Sequence, residues 1–160
     1  MRDVAERPDL ETLFRDQAPR LWRSIYGFAG GRRQIAEDAV AEAFARALEH
    51  ADSIRDPLPW IYRTAFRIAT RELKREKRAL GLRAEAPPEP DAAGLHDLLR
   101  ALAALPFNQR AAVILHHGEG LSAAEVSRLL GMSPATVRVH AFRGRKRLRE
   151  ILGSEEDDDD

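Results

Sequence analysis

Seven cations stand in residues 126–149 with no acid among them: Arg128, Arg138, Arg143, Arg145, Lys146, Arg147 and Arg149. A run of one sign suits a polyanion, because each cation that neutralises a phosphate releases a condensed counterion. Arginine adds a second capability, since its planar fork takes both major-groove acceptors of a guanine. Arg138 and Arg143 stand beside Val139 and Phe142, apolar groups able to meet a thymine methyl, while Arg145, Lys146 and Arg147 form a block suited to phosphate. A solvated helix in an ordinary bundle would mix both signs. A second cationic set lies upstream. Arg63, Arg67, Arg71 and Lys74 recur at i, i+4, i+8 and i+11, with Arg75 adjoining, a stripe that can follow a phosphate backbone. Trp60, Tyr62 and Phe66 lie among them and offer rings for stacking on unpaired bases, although such residues also serve as core.

Helices must hold these groups. Ser122 with Glu125 forms a capping box, Val126, Leu129 and Leu130 recur at helical spacing, and Gly131 closes the run as a left-handed cap. Ser133 and Pro134 start a second helix as N-cap and first helical residue. A short helix, a tight turn and a long basic helix predict a helix-turn-helix whose second helix enters the DNA major groove. Upstream, 10–29 places Leu13, Phe14, Leu21, Trp22, Ile25 and Phe28 near one stripe, and Gly30-Gly31 breaks it. Ile35, Ala39, Ala43, Phe44, Ala47 and Leu48 mark a helix over 33–50. Asp56 and Pro57 can start a third, with Trp60, Ile61, Ala65, Ile68 and Leu73 inward. Two further helices are predicted over 95–105 and 108–117, separated by Pro106. With no alternating strand pattern, the expected fold is all-α: two small helical domains, 1–80 and 95–153, joined by a flexible linker. The linker, 81–94, contains AEAPPEPDAAG and is acidic and Pro-rich; an acidic tail, 154–160, is expected to lack structure.

Composition narrows the function classes. The 160 residues include no cysteine, so neither a disulfide framework nor a thiolate metal site is available. No apolar run reaches the roughly 20 residues that span a bilayer, and MRDVAERPDL lacks a signal peptide's apolar stretch, so no membrane insertion and a cytoplasmic location are expected. Of 26 basic residues only Lys74, Lys77 and Lys146 are lysines. The net charge of zero hides segregation. Residues 63–83 carry eight bases against Glu72 and Glu76, 8 − 2 = +6, and residues 84–97 carry four acids and no base. Such alternation is the footprint of a nucleic-acid binder that an average charge conceals. His116-His117 with Glu119 has no third ligand in register, and no phosphate loop, nucleophile elbow or catalytic triad spacing appears. Neither a metal, a cofactor nor an enzyme is expected.

Two stretches, in this order, resemble the extracytoplasmic-function (ECF) class of bacterial RNA polymerase sigma factors. LPFNQRAAVILHHGEGLSAAEVSRLLGMSPATVRVHAFRGRKRLRE is similar to that family's pattern of LP, QR, EGLS, an AE-containing helix, LG.S and TV(R/K). DAVAEAFARAL and PWIYRTAFRIATRELKREKR stand where the family has its polymerase-docking helix and its −10-reading helix. The resemblance implies transcription initiation and regulation as the function, through binding to RNA polymerase core at the β′ clamp helices and the β flap, and to promoter DNA, double- and single-stranded. An anti-sigma factor is a candidate further partner. It implies polymerase docking for Asp38, Glu42 and Phe44, and −10 contacts for Trp60, Arg63, Arg67, Arg71, Lys74 and Arg75. It implies −35 contacts for Ala135, Thr136, Arg138, Val139, His140, Phe142 and Arg143, with Arg145, Lys146 and Arg147 on phosphates. Ala41 replaces the family's glutamine, Arg67 and Arg71 stand where it often has Asn and Asp or Asn, and His140 replaces a common basic residue.

Two other readings fit part of the pattern. SxxTVRxH also suits a helix-turn-helix regulator of the quorum-sensing or response-regulator kind, which requires a strand-containing N-terminal domain. A sigma-like adaptor that binds polymerase without reading the −10 element accommodates Arg67 and Arg71.

Overall fold

The computed structural model describes residues 9–80 and 94–158, with side chains as far as 153. All regular structure among them is helical: α1 (Leu10–Phe28), α2 (Arg33–Glu49), α3 (Pro57–Leu80), α4 (Leu95–Ala103), α5 (Phe107–Val113), a π-helical turn (Ile114–Gly118), α6 (Ala123–Leu130) and α7 (Pro134–Asp158). Of the expected linker 81–94, residues 81–93 lie outside the described residues, and Gly94 stands at the start of α4.

The N-terminal half is a three-helix unit. Asp9 caps α1, accepting from the Glu11 amide at 3.3 Å. Gly30 and Gly31 adopt φ of 65° and 89°, a left-handed pair that reverses the chain into α2 at little steric cost. In α2 the buried face is mostly alanine (Ala36, Ala39, Ala43, Ala47), which lets the neighbouring helices approach closely. Against it α3 turns Ile61, Ala65, Ile68 and Ala69.

The C-terminal half forms the expected helix-turn-helix. The capping box is complete: Ser122 Oγ accepts from the Glu125 amide at 3.1 Å and the Glu125 carboxylate accepts from the Ser122 amide at 3.2 Å. Gly131 closes α6 with φ 76°, and Ser133 Oγ accepts from the Thr136 amide at 3.1 Å at the start of α7. Gly144 brings α7 hard against α5. A Cβ at that position would overlap the Val113 methyl and lie 3.1 Å from the Gln109 carbonyl oxygen.

The two halves share one apolar core. Phe28 of α1 meets Phe66 of α3 edge-on at 5.0 Å and Phe107 of α5 at 5.7 Å, and Leu102, Leu105, Val113 and Ile114 join the same buried cluster.

Several expectations change. Phe14 and Leu48, read as part of buried stripes, are 50% and 66% exposed, because the apolar arcs of α1 and α2 are wider than the partners available to cover them. Tyr62 and Phe66 are buried, since burying aromatic rings in a small helical unit is the larger gain, and neither can stack on a base. The helix expected over 108–117 ends at Val113 and gives way to the π turn, in which the Glu119 amide bonds the Ile114 carbonyl at 2.9 Å. The tail expected to be unstructured is helical to Asp158, because extending an existing long helix costs little per residue once nucleation is complete. Asp159 and Asp160 lie outside the described residues.

Candidate nucleic-acid interface

The helix-turn-helix turns one face of α7 to solvent. Val137, Ala141, Gly144 and Leu148 are buried at roughly helical spacing, which turns Ala135, Thr136, Arg138, Val139, Phe142 and Arg143 to solvent. Phe142 is 70% exposed and Val139 45% exposed, with Arg138 and Arg143 flanking them. Large apolar groups held in water between two arginines suit a surface offering guanine acceptors and thymine methyls. Thr136 is less free than expected, because its hydroxyl lies 2.8 Å from Ser133 Oγ in the cap of α7. His140 is half-buried, and its Nδ1 has no partner among the described residues. Arg145, Lys146 and Arg147 are exposed on the next turns, in position to bracket a phosphate backbone. Beside them the His117 ring is held below the ordinary histidine range by burial, with His116 and Arg145 adding repulsion.

The cationic stripe of α3 is also assembled and its members are all exposed, although each also makes a contact within the protein. Arg63 donates from Nη2 to the Arg128 carbonyl oxygen at 2.8 Å, in the last turn of α6. Arg67 lines a cleft with Phe66, Phe107, Leu130 and Met132, and the Lys74 ammonium lies 5.9 Å from the Phe107 ring centroid. Arg71 turns the other way, 3.9 Å from Glu42 of α2 and 3.7 Å from Glu72, and Arg75 lies 3.5 Å from Glu72. Trp60 is half-buried, its ring 6.4 Å from His50, and is the one aromatic of the predicted stacking set that reaches the surface.

The acidic pair of α2 is present but unequal. Asp38 is exposed and accepts from Gln34 at 2.8 Å. Glu42 is bonded by Arg46 and approached by Arg71, so its charge is already compensated. Together with Ala41, Ala45, Ile68 and Glu72 they line a groove between α2 and α3 with an apolar floor and an acidic rim. Phe44 is buried beneath Phe14, edge-to-face at 4.9 Å, so its ring supports the exposed Phe14 and is not itself a contact surface.

Besides the Arg63 bond to Arg128, three polar contacts between the halves were not anticipated. Glu119, only 12% exposed, receives Arg20 Nε at 3.2 Å and the Arg23 guanidinium at 3.2 and 3.3 Å. Burial pushes the Glu119 carboxyl up, but the bonds from Arg23 and Arg20 outweigh it and hold the group below its ordinary value. Arg128 of α6 pairs with Asp56 ahead of α3. Arg110 is buried in the shared core and donates to the carbonyls of Phe28, Ala103 and Leu105. No acid among the described residues pairs with it, and desolvation lowers its pKa to about 10, with nearby Arg32 adding to the effect. The sequence signal for these three was weak: a lone Glu after a turn and a lone Arg in an apolar helix have many other uses.

No group of three or more His, Asp or Glu able to hold a metal occurs among the described residues. No helix among them is long and apolar enough to cross a membrane.

Comparison with known proteins matches both halves to family models. Residues 13–79 match Sigma-70 region 2, and residues 95–148 match Sigma-70 region 4. The chain is 32% identical over 171 residues to the ECF RNA polymerase sigma factor SigE of Mycolicibacterium smegmatis, covering 94% of this chain and 64% of that protein. It is 30% identical over 158 residues to the RNA polymerase sigma factor CarQ of Myxococcus xanthus, covering 89% of this chain and 88% of CarQ. In fold it resembles the sigma factor RpoE solved in complex with the anti-sigma factor NepR from Bartonella quintana, with a TM-score of 0.70 at 21% identity over 89% of this chain and 96% of that one.

Proposed function

The chain belongs to the sigma-70 family, with region 2 followed by region 4 as in ECF RNA polymerase sigma factors, and on that footing we propose that it binds polymerase core and directs it to promoters. The observation that carries this reading is the α7 face, where Val139 and Phe142 stand exposed between Arg138 and Arg143. An ordinary bundle would bury those two side chains; a groove reader needs them in water.

Arg138 and Arg143 read base edges of the −35 element, Val139 and Phe142 meet methyls, and Arg145, Lys146 and Arg147 grip phosphates. Arg63, Arg67 and Lys74 follow the single strand of the −10 element, with Trp60 as its stacking ring. Asp38, with the groove between α2 and α3, docks on a basic helical surface of the polymerase. The protein works by binding and performs no covalent chemistry, and it acts in the cytoplasm, where the polymerase is. An anti-sigma factor, of the kind bound to the solved RpoE, is a candidate partner.

Run-off transcription with purified core over a library of promoter fragments tests the proposal. A defined set of fragments should yield transcripts only when this chain is added. A chain that binds core but selects no fragment would reduce it to the adaptor reading.

A further inference from the structure

The N-terminal unit leaves one apolar patch open. Leu10 and Phe14 of α1 and Ala41, Phe44, Ala45 and Leu48 of α2 line a single groove, and Phe14 and Leu48 stand half or more in water there. The Phe14 ring is not loose: the buried Phe44 ring meets it edge-on at 4.9 Å and props it outward. Scattered apolar side chains are ordinary surface, whereas several gathered on a rigid support mark an interaction site. The rim tells which kind. Glu11 and Arg15, both exposed, pair at 3.5 Å and run beside the row of Leu10 and Phe14, one position further round α1. Adjacent opposite charges select neither a basic nor an acidic surface. They select one that offers the same two charges in reverse order. A two-fold axis supplies that order from a second copy, because antiparallel α1 helices put Glu11 of each opposite Arg15 of the other while the rows of Leu10 and Phe14 meet.

We propose that the patch is a self-association surface on which two copies of the chain pair through antiparallel α1 helices, with Phe14 and Leu48 covered at the centre and reciprocal Glu11–Arg15 pairs at the rim. A patch confined to a few helical turns is smaller than the roughly 800 Å² a side of a standard interface, so the dimer is weak, with a Kd on the order of tens of micromolar. Ala41 and Ala45 line this groove and also the acid-rimmed groove between α2 and α3. A seated copy therefore abuts the surface assigned above to polymerase, and core should displace it, a consequence that rests on the sigma reading. The pairing itself does not.

Sedimentation velocity on the full-length protein, from low micromolar to a few hundred micromolar and without polymerase, reads the dimer directly. The parent's average mass should rise towards twice that of one chain, and Leu48→Glu should hold it at one chain with an unchanged melting curve. Glu11→Arg and Arg15→Glu each put like charges opposite one another and should each weaken association several-fold. An equimolar mixture of those two variants should associate at least as tightly as the parent, since every Arg of the rim then faces a Glu of the other chain. Misfolding of either variant could not produce that rescue. A parent that stays a monomer throughout overturns the proposal, as does a mixture no tighter than its two components. A chain lacking residues 1–8 that dimerises where the parent does not would give the patch to the chain's own N-terminus, and a monomeric parent whose Leu48→Glu variant loses core would give it to polymerase. Either result overturns the pairing. Promoter-directed transcription by a chain that never dimerises keeps the sigma reading and sinks this one, whereas a dimer without such transcription does the reverse.

Discussion

Arg110 of α5 donates from Nη1 to the carbonyl oxygen of Phe28, the last residue of α1, at 2.9 Å. The same guanidinium serves the carbonyls of Ala103 and Leu105 at the end of α4 and lies over the rings of Phe28 and Phe107. A cation is buried here without a carboxylate because two helix C-termini point their orphan carbonyls at it. Removing the donors strands those acceptors, each at about 1–3 kcal/mol. Arg110→Ala should lose about 3 kcal/mol or more of stability in urea unfolding, and Arg110→Lys should recover only part, since one ammonium cannot span three carbonyls in a plane. A loss under about 1 kcal/mol for Arg110→Ala would mean water replaces the guanidinium.

Gly144 tests the packing of α7 on α5. In an exposed helix Gly→Ala gains about 1 kcal/mol. At position 144 the new methyl would meet the buried Val113 side chain and the Gln109 carbonyl, neither of which can swing away. Overpacking of that kind costs about 1–3 kcal/mol. Gly144→Ala should therefore lower the thermal midpoint and weaken duplex binding with it, whereas Gly153→Ala, which meets nothing, should not.

The Glu119 clamp gives a signed pH dependence. Its folded pKa lies below the unfolded one, so its contribution is fully present above the ordinary glutamate range, about pH 4.3, and is lost as pH falls through the lower folded value. Thermal midpoints measured from pH 7 down to pH 3 should fall less steeply for Glu119→Gln than for the parent. Parallel curves would show that Arg20 and Arg23 gain nothing from that carboxylate.

On α7, Arg138→Ala should cost about 1–3 kcal/mol and relax one base position of the −35 element. Lys146→Ala should weaken all duplexes alike and reduce the salt slope by about one unit. Binding to a randomised duplex pool at two salt concentrations distinguishes them, and identical selectivity profiles would make Arg138 a phosphate contact.

Docking through α2 is best probed at Asp38 alone. Its carboxylate is exposed, whereas Glu42 holds Arg46 and faces Arg71, so reversing Glu42 would disturb the fold as well. If Asp38 meets a cation on core in a desolvated interface, Asp38→Arg should cost about 2–5 kcal/mol of core affinity with an unchanged melting curve. Unaltered titration against core would move the docking surface elsewhere.

The helix-turn-helix was legible because its cues are local: Ser122, Glu125, Gly131, Ser133 and Pro134 each act on backbone within a turn of themselves. The residues that the family resemblance assigned to the −35 groove lie on the exposed face of α7. What escaped the sequence is how the halves meet. Arg20, Arg23 and Glu119 are about a hundred residues apart, and Arg63 has no local feature that names Arg128 as its partner. The sequence left Tyr62 and Phe66 open between core and stacking, and they are core, whereas Phe14 is surface, because helical periodicity gives an arc and only packing decides how much of it is covered. Phe44, predicted to dock, is the support under Phe14 for the same reason.

The wide turn at Ile114–Gly118 bears on how this half can be recombined. One extra residue in a helical turn advances every later side chain by about 100° around the axis. That offset is what aims Glu119 at α1 and sets the heading of α6 as it leaves the loop. A chimera that grafts α6 and α7 from this chain onto a regular α-helix would thus deliver an intact reading head at the wrong azimuth. The transferable module begins at Phe107, upstream of the helix that does the reading and of the one that precedes it.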